Sequence, residues 1–134
     1  MSFAKQLLHA YPRKVDVDAD VLAATIDALN DCAEACTADA DANLGERNVT
    51  EMVRCIRLCL DCADVCGATV RVSSRQAESD ASFTRRLLEA CAAVCKSCGE
   101  ECERHAHMHE HCRVCAEACR RGEQASVALL DATR

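Results

Sequence analysis

A chain of 134 residues makes one domain, residues 1–134, because a single core of roughly 100–150 residues is the usual unit. It holds 13 cysteines against 2 Phe, 1 Tyr and no Trp, which excludes an aromatic-centred core, while 1 Pro and 4 Gly exclude the many reversals of a disulfide scaffold or a β-sandwich. With 16 basic against 22 acidic residues, formally −6, the charge argues against a nucleic-acid partner, whose phosphates require a basic face.

From Met1 to Pro12 there is no uninterrupted apolar run of signal-peptide length, and nothing in the chain reaches the ~18 apolar residues of a membrane span. The expectation is a cytoplasmic protein with no membrane partner, in a compartment that keeps thiols reduced. An odd count of 13 cysteines could not be fully paired within the chain in any case. Metal or redox chemistry is expected.

Residues 1–17 are expected to add a short amphipathic helix laid against the side of the domain. The first long helix runs from about Asp18 to Asn43, with Asp18 or Asp20 as its cap and Gly45 as a left-handed stop. The second begins at Asn48, which with Glu51 has the form of a capping box, and lasts to about Val72. The polar stretch Ser73 to Asp80 reads as a loop; Ser79, Asp80 or Ser82 caps a third helix that continues to about Arg104. The fourth occupies Met108 to Leu130. Short connections between long helices predict an all-α, antiparallel four-helix bundle.

The cysteines are spaced by helical period. Cys55, Cys59, Cys62 and Cys66 on the second helix, and Cys91, Cys95, Cys98 and Cys102 on the third, both follow C-x3-C-x2-C-x3-C. At 100° per residue these positions fall at about 0, 40, −20 and 20°, a stripe roughly 60° wide. Cys112, Cys115 and Cys119 on the fourth helix and Cys32 and Cys36 on the first obey the same rule, so all occupy positions that face the bundle axis. Cysteine can be a plain small core hydrophobe, but leucine would fill these positions with more apolar area. Chemistry is therefore the expected reason for the sulfur.

Soft thiolates select Cu(I), Zn(II) or iron–sulfur clusters. Zinc demands closed tetrahedra, usually built from C-x2-C knuckles, whereas Cu(I) accepts two or three thiolates and tolerates bridging sulfur, so a column of thiols suits many Cu(I) ions. Thioredoxin-type C-x2-C would require a strand-helix unit, ferredoxin spacing places a proline after its last cysteine, and c-type haem attachment requires C-x2-C-H; none of these contexts occurs. A thiol/disulfide redox protein and a zinc or cadmium buffer remain the alternatives.

Alternating helix directions bring Asn43, Met52, His105, His107, Met108, His109 and His111 to one end of the column. Met108 would extend the fourth stripe. His105 and His109 lie on the third stripe if that helix runs on; Met108 and His111 are nearer the fourth if it starts early. Metal is expected to enter here, with His105, Met108, His109 and His111 joining the cysteines as ligands. Leu22, Ile26, Leu29, Val70, Leu87, Leu88, Val127, Leu129 and Leu130 are expected to plug the opposite end, and His9 to lie on the surface.

Over about residues 18–130 the chain resembles the cytosolic bacterial copper storage proteins. The resemblance rests on the two doubled stripes and on His111-Cys112-x2-Cys115-Ala116-x2-Cys119-Arg120. It implies storage of multiple Cu(I) ions by the 13 cysteines, His and Met near an open end, no enzymatic turnover, cytoplasmic location and assembly as a homotetramer. Gly122 and Ser126 stand where relatives often continue the cysteine stripe, which implies a lower capacity at that end.

Overall fold

The structure, a computed structural model, describes residues 2–133. Among these described residues five α-helices follow one another: α1 (Phe3–His9), α2 (Ala19–Leu44), α3 (Val53–Ser74), α4 (Ala81–His105) and α5 (Glu110–Ala132), with one 3-10 turn at Val49–Glu51. The four long helices form an antiparallel ring in which α2 packs on α3, α3 on α4, α4 on α5 and α5 back on α2; α1 lies against α2. Among the described residues, no helix is long and apolar enough to cross a membrane.

Side-chain caps set the starts of α1, α2 and α4. Asp18 Oδ1 accepts from the backbone N–H groups of Asp20 and Val21 at 2.8 and 3.1 Å, and Asp80 Oδ1 accepts from Phe83 at 2.9 Å, each satisfying donors that a helix N-terminus leaves free. Ser2 does the same for α1.

Three boundaries differ from the sequence expectation. Gly45 ends α2 with φ −86°, a right-handed conformation; the chain passes on into a 3-10 turn, so no left-handed stop is needed. Asn48 and Glu51 bond each other through their side chains at 3.2 Å without capping a helix, and α3 starts five residues beyond Asn48, at Val53. The last helix begins at Glu110, since the His105 carbonyl accepts from both Met108 and His109 and closes a tight turn there.

The interior divides along its length. One half is sulfur: all 13 cysteines, with Leu29, Ala40, Met52 and Ala116, form one buried cluster. The other half is hydrocarbon: Leu22, Ala23, Ile26, Leu88, Leu129 and Leu130 bury against Leu8 of α1. The short helix therefore roofs the apolar end. Leu87 and Val70 are only half-buried, and Val127 is 44% exposed, because on α5 it is Ser126, Leu129 and Leu130 that face inward.

Candidate metal centre

The 0, 4, 7, 11 spacing puts each thiol on the axial side of its helix, and the ring of four helices brings the stripes together. Every cysteine is a buried free thiol. Neighbouring sulfurs approach to between 3.5 Å, for Cys66 and Cys95, and 4.0 Å, for Cys59 and Cys115. Contacts join helices as well as turns: Cys32 meets Cys62 at 3.8 Å and Cys119 at 3.8 Å, Cys36 meets Cys98 at 3.9 Å and Cys115 at 3.7 Å, and Cys98 meets Cys59 at 3.7 Å. From Cys91 to Cys55 the sulfurs are continuous. Cys112 joins through Asn43, whose Oδ1 accepts from it at 3.5 Å and whose Nδ2 donates to Cys55 at 3.4 Å.

Several groups of four ligand atoms lie close enough to hold one ion, among them Cys32, Cys62, Cys66 and Cys95, and Cys36, Cys98, Cys115 and Cys119. Protons are shared unevenly between such neighbours. Hydrogen bonds from Cys66 and Cys95 lower the pKa of Cys91, and those from Cys102 and Cys119 lower that of Cys115, whereas Cys102 and Cys36 are raised.

At the mouth stands a residue the sequence reading missed. Asp39 is 2% exposed, and its Oδ2 accepts from Cys59 at 3.4 Å, Cys102 at 3.5 Å and Cys55 at 3.9 Å. Its Oδ1 lies 2.5 Å from His111 Nδ1, and His111 Nε2 lies 2.9 Å from Glu46 Oε2. Burial raises the Asp39 pKa, against the pull of His111. Burial pulls His111 down, but hydrogen bonds to Asp39 and Glu46 prevail and hold its pKa above the ordinary histidine value. Glu46, at the solvent end, is lowered by His111. The signal for Asp39 was available: Cys32, Cys36, Asp39 and Asn43 repeat the 0, 4, 7, 11 spacing.

The remaining mouth residues divide. Met52 is fully buried in the sulfur cluster. His109 stacks on His111 with ring centroids 5.3 Å apart; its Nδ1 lies 2.7 Å from Glu46, while its Nε2 is buried with no hydrogen-bond partner among the described residues. His105 is held at 3.1 Å by Glu101, itself flanked by Arg54 and Arg104. Met108 is 62% exposed and lies in the turn before α5, so it does not extend the fourth stripe. His107 and His9 are exposed.

At the other end of the column, a Cβ on Gly122 would sit 3.1 Å from Cys95 Sγ and 3.4 Å from Cys32 Sγ, so the absence of a side chain makes room for two sulfurs. Ser126 is fully buried and donates to the Gly122 carbonyl at 2.9 Å.

Comparison with protein families matches residues 18–131 to the copper storage protein family. The chain belongs to that family. The fold is shared with the copper storage protein Ccsp of Streptomyces lividans loaded with 10 copper equivalents: 53% identity, 96% of this chain and 98% of the other covered, TM-score 0.95. A structure of copper loading to the cytosolic copper storage protein of Streptomyces lividans, with five coppers, is similar at 56% identity, 84% and 93% coverage and TM-score 0.83. The cysteine-rich protein YhjQ of Bacillus subtilis (strain 168) is 36% identical over 95 residues, 71% of this chain and 82% of its own length.

Proposed function

We propose that this family member stores and sequesters Cu(I) in the cytoplasm, binding many ions per chain through Cys32, Cys36, Cys55, Cys59, Cys62, Cys66, Cys91, Cys95, Cys98, Cys102, Cys112, Cys115 and Cys119, without catalytic turnover. The observation that carries the reading is the continuous column of buried free thiols. Sulfurs 3.5 to 4.0 Å apart can share monovalent soft ions by bridging, and on the order of one ion per sulfur gives roughly ten to twenty per chain. Each Cu(I) that replaces a thiol proton leaves the charge of the interior unchanged, so the column can take up to one ion per thiol without accumulating charge.

Ions enter at the mouth. His109 supports this role, because Glu46 orients the ring and leaves a buried ring nitrogen without a partner, the arrangement in which a carboxylate prepares a histidine for a metal. His111, Asn43 and Met52 line the passage to the first thiols, and Met108 and His105 stand at the rim. The chain acts as a homotetramer, as the resemblance implies; the exposed Leu60 and Val114 offer apolar flanks for such assembly.

Anaerobic Cu(I) titration against a strong chromogenic chelator tests the reading, with disulfide reductase activity assayed in parallel. Tight binding of around ten or more ions and no reductase turnover is expected; saturation at one or two ions overturns it. Light scattering of the eluted protein tests the tetramer, and a monomer at all concentrations removes it.

A further inference from the structure

One feature of the column is foreign to the chemistry of Cu(I). A carboxylate is a hard donor that suits harder and borderline ions, and burying one costs several kcal/mol unless partners compensate. Yet Asp39 occupies a thiol position of the α2 stripe and aims one oxygen at three sulfurs.

Five of the six edges among those four atoms are close to those of a tetrahedral site. Cys55 and Cys102 are 3.8 Å apart, Cys59 and Cys102 3.7 Å, and Asp39 Oδ2 stands 3.4, 3.5 and 3.9 Å from the three sulfurs. A tetrahedral zinc ion with bonds of about 2.3 Å to sulfur and about 2.0 Å to oxygen has sulfur–sulfur edges near 3.75 Å and sulfur–oxygen edges near 3.5 Å. The four atoms all lie within 4.8 Å of one another. From these edges we propose that Asp39, Cys55, Cys59 and Cys102 form a site for one divalent borderline ion, Zn(II) first, at the mouth of the copper column.

Other four-thiol groups have similar edges, but their surroundings differ. Around Cys36, Cys98, Cys115 and Cys119 the hydrogen-bond partners are other sulfurs. A divalent ion there replaces four thiol protons and leaves the interior two charges more negative, and among the described residues those sulfurs bond other sulfurs and no N–H donor. At the Asp39 site, with the carboxylate ionised, three protons leave and the change is a single charge. The donors are present as well: Asn43 Nδ2 donates to Cys55, and His111 Nδ1 holds the carboxylate oxygen that the ion does not use. Such outer partners fix ligand orientation and are worth 10- to 100-fold in metal affinity. Monovalent copper needs none of this compensation, so the same column takes copper throughout and zinc at one place.

The test is anaerobic titration of the copper-free full chain with Co(II) as a spectroscopic stand-in, followed by displacement with Zn(II). One equivalent per chain is expected, with thiolate-to-cobalt charge transfer and tetrahedral d–d bands that zinc abolishes. Asp39→Ala and Cys55→Ser are each expected to weaken that equivalent at least tenfold, with helical circular dichroism confirming the fold. If Asp39→Ala fails to fold, Asp39→Asn and Cys55→Ser carry the test. Uptake of several equivalents insensitive to Asp39, no tetrahedral binding at all, or a loss on Cys36→Ala but not on Cys55→Ser each overturns the site. The readout contains no copper, so its failure is distinct from failure of the storage reading.

Discussion

The two halves of this bundle use one pattern and two materials. At the apolar end Leu22, Ile26, Leu88, Leu129 and Leu130 fill the inward positions; at the other end cysteines fill them. Leucine buries more hydrocarbon per position, on the order of 1.5–3 kcal/mol for each side chain taken out of water. The leucine end is thus where the fold is secured, and the sulfur end gives up packing energy for the capacity to bind. Holding power and binding power are separated along one axis, and α1 adds Leu8 to the end that secures.

That division can be broken from either side. Replacing Cys36, Cys98, Cys115 and Cys119 together with Ala should remove the middle of the column and lower Cu(I) capacity by on the order of four ions, one per sulfur; titration against a competing chelator measures it, and an unchanged endpoint contradicts the division. Leu88→Ala should cost about 2–5 kcal/mol in urea unfolding of the copper-free chain, as buried leucines do, while the copper endpoint stays where it was. Gly122→Ala lies at the junction and should do a little of both. Its methyl would press on Cys95 and Cys32, costing about 1–3 kcal/mol by overpacking and weakening the ions nearest the leucine half; a variant with wild-type stability and loading would show that the two materials meet loosely.

The smallest effect concerns the mouth and depends on pH. The folded-state pKa of His111 is raised, so its pairing with Asp39 and Glu46 contributes stability that is complete below the ordinary histidine value, about 6.5, and is lost as pH climbs through the raised value. The destabilisation caused by His111→Ala in the copper-free chain should therefore be larger at pH 6 than at pH 9, as read from urea midpoints. The opposite order would place the histidine's influence elsewhere.

Much of this architecture can be read from residue order, because helical period and thiol identity carry the same message. The stripes predict which thiols converge, and Asp18 and Asp80 announce their caps through side chains suited to the role. What escaped has physical reasons. Asp39 and Glu101 have the composition of solvated surface, and only their partners make them interior: three thiols and an imidazole for Asp39, two guanidinium groups and an imidazole for Glu101. The turn between α4 and α5 carries neither Gly nor Pro, so nothing local distinguished a helix starting at Met108 from one starting at Glu110, and the difference turns Met108 outward. Val127 failed for a similar reason, sitting one position away from a buried row.

Sulfur in place of leucine also ties the lifetime of the polypeptide to what it carries. Ions that bind only the folded form raise its stability by mass action, by about 2.7 kcal/mol at a hundredfold excess over the dissociation constant, and each one that bridges two helices stitches the bundle shut. A chain relieved of its cargo loses those stitches in the half that hydrocarbon does not secure. It opens more often and presents its thiols to proteolysis, whose rate follows the population of open forms. Limited proteolysis of copper-free against copper-loaded protein is therefore expected to cleave the empty chain first, so that cargo sets how long each vessel lasts.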